Sequence, residues 1–249
     1  SAKSRGYFSI NTITVTSADP SKPRPRFDGD GKGGTWFDLK SASERSTHYT
    51  IEGLEIINFE TAINLAGDRN RTELSNSGNQ IRNNVFINIG QTSAESPPST
   101  AVIRLVNSDD NVIKDNRFIH IKNRERCSLL HSIYVAHDST NNVIEGNIFE
   151  DLCGDALRFR DGSNANLVKD NVFIDAWDKA PVSDWYCDRD RRDDCTKATG
   201  ECPSMNNVLM NNTVLAKILK PVKIFLAFGS DTHRSCPIYP EDVRFLIRS

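Results

Sequence analysis

The 249-residue chain reads as an all-β solenoid, a stack of similar coils of strand and turn. Two consecutive stretches align without a gap, their apolar residues alternate with polar ones, and equivalent positions keep one residue type. Ser132–Phe149 (SIYVAHDSTNNVIEGNIF) lies over Ala156–Phe173 (ALRFRDGSNANLVKDNVF). In the first stretch Ile133 and Val135 flank Tyr134, which is the period of a half-buried strand rather than a helix. A single coil has nothing to bury its apolar face against, so several must stack for any to be stable.

The unit continues as Ile81–Phe86, Ile113–Phe118, Ile144–Phe149, Val168–Phe173 and Leu209–Val214, with a divergent copy at Ile51–Ile56. Ile51, Ile81, Ile113, Ile144, Val168 and Leu209 form one apolar column. Ile56, Phe86, Phe118, Phe149, Phe173 and Val214 form a second, with a phenylalanine stack at its centre. Between them run Asn84, Asn116, Asn147, Asn171 and Asn212, whose amides can hydrogen-bond from rung to rung and satisfy polar groups buried in a turn. These columns resemble the right-handed parallel β-helix of the pectate-lyase-like superfamily, with its asparagine ladder and its aliphatic and aromatic stacks, from about Trp36 to Phe228. The resemblance implies architecture and leaves chemistry open, because this fold carries lyases, glycosidases, epimerases and phage adhesins.

Taken from the N-terminus, Phe8 to Pro20 alternates like a strand and breaks at a turn rich in proline and glycine that ends near Gly34. It resembles an inner rung, so residues 1–249 are expected to form one elongated domain that lacks the N-terminal cap of such helices. Trp36–Phe59 is the first readable rung and Asn64–Ile89 the next, with a polar turn from Gly67 to Gly78. Three excursions follow, at 90–100, 122–130 and 177–205. All three are expected to enter before the same strand, placing long loops on one side of the molecule, where they can wall a groove. The third holds Cys187, Cys195, Cys202 and the charged run 188–194. A loop so long and polar cannot order itself by burial, and disulfides are the simplest device for fixing it. The expected pairs are Cys187 with Cys195, Cys202 with Cys236, and Cys127 with Cys153 between neighbouring coils.

The balance of 31 basic against 33 acidic residues gives no global attraction to nucleic acid or to a membrane surface. No apolar run is long enough to span a bilayer, and the N-terminus lacks a signal-peptide pattern. Six cysteines with no Cys-x-x-Cys pair point to disulfides and a secreted or extracellular location rather than to a metal site. Asn70-Arg-Thr72 and Asn211-Asn-Thr213 fit the N-glycosylation pattern. Oligomeric state stays open, although the ends of a β-helix must be capped somehow.

Aligning the strand after each excursion puts Asp38, Asn64, Arg104, Tyr134 and Arg158 in one column. It is flanked by inward apolar residues such as Ile103 and Leu105, so the column is expected to point outward. Rungs are about 4.8 Å apart, which sets Tyr134 between two guanidinium groups. Arg160 points the same way, His137 and Asp161 share the next turn column, and His131 stands just before the strand. With Lys122 at the start of the second excursion, this basic and aromatic patch suits an extended anionic ligand, an acidic polysaccharide.

β-Elimination on a uronic-acid polysaccharide needs a cation beside the carboxylate, a base for the C5 proton and an acid for the departing glycosidic oxygen. Arg104 or Arg158 is the candidate neutraliser. Tyr134 is the candidate acid and, with positive charges favouring its phenolate, a candidate base. His137 or His131 is the next candidate base. Arg160, His131, Asn64, Asp161 and Lys122 are candidate substrate-binding residues. The combination resembles the single-domain alginate lyases, which makes alginate the expected polymer. More distantly it resembles the chondroitinase B type, in which a lysine and an arginine on successive coils act together. Arg158 matches that arginine, whereas His137 stands where the lysine would be.

The same patch would serve a non-catalytic glycan-binding or adhesive β-helix. Outward arginines are most often solvated or ion-paired, and Tyr134 can simply cover an arginine stem. Asp109-Asp110 resembles the paired acids of polygalacturonase-type hydrolases, but the Gly-His-Gly signature is missing, as is the Asp-Pro-His of mannuronan epimerases. A glycoside hydrolase or uronan epimerase is therefore a lesser alternative. Asp38, Asp138 and Asp161 do not obviously converge, so neither calcium nor any other metal or cofactor is indicated. His48, His120 and His233 receive no role.

Overall fold

The computed structural model describes residues 12–19, 21–40, 48–91, 93–94, 96–176, 180–187, 200–215, 226–228, 236 and 243–248. Its strands form three sheets, of eight, seven and seven members, and successive strands pass to successive sheets. Thr12–Val15, Arg26–Asp28 and Thr35–Lys40 lie in the first, second and third sheets. The next coil, His48–Glu52, Glu55–Ile57 and Thr61–Ala66, pairs with them in parallel and in that order. The same sequence repeats to Phe245–Arg248, so the chain is a parallel β-helix. The alternating opening segment is a rung from Thr12 onward, and Phe8–Asn11 lie outside the described residues.

The corner between first and second sheets shows why these residues make coils. Asn83, Asp115, Asp170 and Asn211 have φ between 53° and 56°, and Gly146 has 65°. Asparagine, aspartate and glycine are the residues that tolerate this left-handed region. The residue after each is a rung of the expected ladder. Asn116 gives its Nδ2 to Asn147 Oδ1 (3.0 Å) and to the Ile81 carbonyl (2.8 Å). Asn147 Oδ1 also accepts the Asn116 backbone N–H (2.9 Å), and the pattern continues through Asn171 to Asn212. A second ladder, not read from the sequence, runs at the entrance to the first-sheet strands through Asn79, Asn111, Asn142, Asn166 and Asn207. Alongside the first ladder Phe86, Phe118, Phe149 and Phe173 stack with centroids 4.9–5.0 Å apart.

The third sheet carries the column of interest in the expected register: Asp38, Asn64, Arg104, Tyr134 and Arg158 are successive partners. Ser183 continues it. That last pairing corrects the loop assignment. Residues 90–100 and 122–130 do connect the second sheet to the third. The third excursion instead contains a third-sheet strand, Val182–Trp185, and its longer part lies beyond that strand, on the way to the first sheet. Long connections therefore both enter and leave the third sheet along the chain. The strand escaped the repeat because Asp184 occupies the position in register with core residue Phe159. A buried carboxylate there, held by Arg244 Nη2 at 2.6 Å, breaks the apolar alternation.

Cys127–Cys153 and Cys202–Cys236 are disulfides. Cys187 is also disulfide-bonded, while Cys195 lies outside the described residues, as do the charged run 188–194 and His233. Among the described residues no helix is long and apolar enough to cross a membrane.

Replacing Asn147 with Ala removes an acceptor for the Asn116 N–H and a donor to the Ile113 carbonyl, both buried. At about 1–3 kcal/mol per orphaned buried group, urea denaturation is expected to show a loss of about 3 kcal/mol.

Candidate functional site

Small residues flank the central tyrosine of the third sheet. Ala101 and Ala136 pack against Tyr134, and the His131 ring stacks on it at 5.6 Å and 13°. Tyr134 is consequently only 8% exposed, rather than standing out on an open face as the alternation suggested. Its hydroxyl oxygen accepts from Arg160 Nη1 at 3.0 Å. Arg160 in turn grips Glu201 with Nε and Nη2, both at 2.7 Å, and its guanidinium lies 4.4 Å over the Trp185 ring.

Glu201 is fully buried and comes from the segment after Val182–Trp185. It exchanges backbone contact with Cys187, receiving that residue's N–H on Oε2 (2.9 Å) and giving its own N–H to the Cys187 carbonyl (2.9 Å). Arg69, from the turn after Thr61–Ala66, reaches Glu201 Oε1 at 3.5 Å. A loop far along the chain thus supplies the carboxylate that neutralises and orients Arg160. Because Cys202 follows directly and is bridged to Cys236, that loop is covalently tied at the point of contact.

His137 and Asp161 occupy left-handed positions, φ 54° and 50°, at the end of neighbouring third-sheet strands. His137 Nδ1 meets Asp161 Oδ2 at 2.7 Å, and both residues are buried. Burial pushes the imidazole below its ordinary value of 6.5, with Arg69 and Arg160 adding to the effect and the Asp161 bond opposing it. His137 is therefore neutral near neutral pH. His137, Asp161 and Glu201 place potential metal-ligand atoms within 4.8 Å of one another. Arg160 already occupies both Glu201 oxygens, so this cluster is charge-compensated within the protein.

On the other side of Tyr134, Arg158 gives Nε to Ser183 Oγ (2.6 Å) and Nη2 to Asp155 Oδ2, which also accepts from Ser183 (2.7 Å). His131 Nδ1 lies 3.9 Å from the same carboxylate oxygen. Asn64 gives Nδ2 to Asp38 (2.6 Å), and that bond is the main cause holding Asp38 below the usual carboxylate range. Arg104 is exposed and has no side-chain hydrogen bond or ion pair with a described residue.

The sequence brought the right column together but misjudged its charge. Arg158 and Arg160 are half-buried halves of ion pairs, because Asp155 and Glu201 sit beneath them. Asp161 is not at the surface; it is spent on His137 and on the Cys202 N–H (3.3 Å). Lys122 is not drawn to this face: it joins His120 on Asp151 (2.7 Å for the lysine) at the end of the second sheet. Glu201, Asp155, Arg69 and Trp185 were missed. The one signal for Glu201 was its place beside Cys202, in a loop that disulfides had to order.

Fold and face together define a parallel β-helix with a polar, tyrosine-centred strip on one sheet. The chain belongs to the right handed beta helix region family, whose description matches residues 40–188, more than half of the chain. Among solved structures it is similar to the alginate lyase from Paenibacillus sp. str. FPU-7, with 15% identity and a TM-score of 0.56 over 84% of this chain and 65% of that one. It is also similar to the tailspike protein of E. coli bacteriophage HK620, with 13% identity and a TM-score of 0.50 over 90% of this chain and 38% of that one. The chain thus spans less than two thirds of either structure, and at these identities the likeness is one of fold. No curated protein matches the sequence.

Two outcomes follow from the buried network. Replacing Glu201 with Ala leaves the Arg160 guanidinium without its counter-charge, with an expected loss of about 3–5 kcal/mol in denaturant unfolding. For His137, whose folded pKa is depressed, the unfolded chain takes up the proton first. The stability contributed by the neutral ring is complete above the ordinary value of 6.5 and is lost as pH falls through the folded pKa. Nuclear magnetic resonance titration between about pH 8 and 5 is expected to show the His137 ring protonating below an exposed histidine.

Proposed function

We propose that the third sheet binds a uronic-acid polysaccharide and that the protein cleaves it by β-elimination, acting as a secreted enzyme. The observation that carries this reading is a tyrosine hydroxyl held by one guanidinium, that of Arg160, beside a second, Arg104, that no described carboxylate holds. Arg104 is one rung from Tyr134, about 4.8 Å along the sheet. A uronate carboxylate on Arg104 would be stabilised as charge spreads into it from C5. Ionised Tyr134 can then take the C5 proton on its phenolic oxygen, beside the Arg160 guanidinium. The C5–H electron pair forms the C4–C5 double bond, the C4–O bond breaks, and the proton on Tyr134 passes to the departing glycosidic oxygen. His137, neutral and fixed by Asp161, is the second candidate base. The disulfides support an oxidising compartment, and alginate is the first polymer to test.

A glycan-holding role without turnover is the rival reading. It is favoured by the near-complete burial of Tyr134, at 8% exposure, and by the internal neutralisation of Arg158 and Arg160.

Ultraviolet absorbance of the unsaturated uronate product, followed separately with alginate, polygalacturonate, glucuronan and chondroitin, decides between them. A rise with one polymer is expected, abolished in Tyr134→Phe while calorimetric binding of the same polymer changes little. Retention of most of the rate would remove the tyrosine from the mechanism. Absence of product from every polymer, with binding intact, would leave the glycan-holding role.

A further inference from the structure

The outer face of the third sheet is electrically uneven. From this we infer that its ligand carries a carboxylate at one subsite only, making it an alternating polymer of uronate and neutral sugar rather than an unbroken run of uronates. The inference rests on the acidic-glycan reading above and narrows its substrate class.

The cations of the face divide into two kinds. Lys40 is held by Asp38 at 3.1 Å, Arg158 by Asp155 and Arg160 by Glu201 at 2.7 Å, with Arg69 sharing Glu201 at 3.5 Å. A ligand carboxylate arriving at Arg158 or Arg160 must compete with Asp155 or Glu201. Those side chains are 2% and 0% exposed, so displacing them strands a buried charge. Arg104 is the cation of this face that no described carboxylate holds. A carboxylate arriving there breaks no ion pair, meets only the more distant charge of Asp38, and gains a bidentate partner.

The neighbourhood of Arg104 is arranged to match. Asn64, one rung away, is committed through Nδ2 to Asp38 and leaves Oδ1 with no donor among the described residues. That oxygen is itself buried, so Asn64 offers a ligand neither a charge nor a donor. On the far side of Tyr134 lie the neutralised pairs, a buried Ser183 whose hydroxyl is spent on Arg158 and Asp155, and Trp185 with the Arg160 guanidinium over its ring. None of these offers a ligand an unpaired cation, which suits an uncharged sugar there. With rungs about 4.8 Å apart, close to one sugar residue of an extended chain, a polyuronate would set further carboxylates opposite rungs whose described residues have no unpaired cation to give.

The test is calorimetric binding to the Tyr134→Phe protein, which keeps ligands intact. The probes are hexasaccharides of unsulfated chondroitin, which alternates uronate and neutral sugar, of polygalacturonate and polymannuronate, which do not, and of chondroitin reduced at its carboxyl groups. The chondroitin hexasaccharide is expected to bind about tenfold tighter than either homopolymer. Carboxyl reduction is expected to weaken it by about tenfold, the scale of one charge-assisted contact. Adding Arg104→Gln is expected to erase the difference between native and reduced ligand, and Arg104→Lys to restore part of it, with thermal melting of each variant confirming the fold. Homopolymers that bind as tightly as the alternating one, or a carboxyl preference that survives Arg104→Gln, would overturn the inference and leave the acidic-glycan reading standing. Failure of every acidic hexasaccharide to bind would overturn both.

Discussion

Hydrogen bonding between buried asparagine amides, rung over rung, is the constraint on which the rest of the molecule depends. A coil that turns sharply between two sheets leaves backbone N–H and carbonyl groups facing inward, where water cannot reach them. Asn84, Asn116, Asn147, Asn171 and Asn212 answer that demand, each amide bonding both to its neighbour and to the backbone of the rung before. The second row, Asn79 to Asn207, does the same at the preceding corner. The two rows fix the pitch, and the Ile81 and Phe86 columns pack into the core beside them. Since every rung is registered on the last, side chains far apart in sequence are held at rung spacing on the outer faces.

That registration turns a surface into a site. Tyr134 and Arg160 belong to adjacent rungs, and strand pairing brings them within hydrogen-bonding reach. The electrostatics, however, are set by groups outside the regular coils. Asp155 precedes its strand, and Glu201 is carried in by a loop. Both lie under arginines that would otherwise project as free cations. The face is thereby changed from a uniformly basic strip into neutralised pairs around one cation, Arg104, that the described carboxylates leave available to a ligand. On the proposed reading this divides binding from orientation: Arg104 would meet a ligand charge, while Arg160, restrained by Glu201, would control Tyr134.

The limits of reading such a site from residues can be traced case by case. The column from Asp38 to Arg158 was legible because period-two alternation and a repeating Asn-x-Phe corner leave only one register. Ser183 and Trp185 were lost because Asp184 occupies a core position of the same strand and hides it. Lys122 was grouped with the arginines by sequence proximity to the second excursion, but it ends a strand of another sheet, where Asp151 takes it. The burial of His137 and Asp161 could not be read either, because a turn residue is exposed or covered according to what the neighbouring loop lays over it.

By itself the sequence determined the coil, its register, the core columns and one of the two ladders, while the pairs Cys127–Cys153 and Cys202–Cys236 were expectations that the structure bears out. Each of these is a local or periodic requirement: alternating burial, left-handed corners and repeated partners at equivalent positions. Only the tertiary structure decided which cations are paired, how deeply Tyr134 sits, and that Glu201 belongs to the site. Those properties depend on contacts between the repeat and its insertions, and an insertion carries no period from which its point of contact can be inferred. Charge pairing and desolvation act over a few ångströms in space, so they are settled only once the loops are laid against the coil.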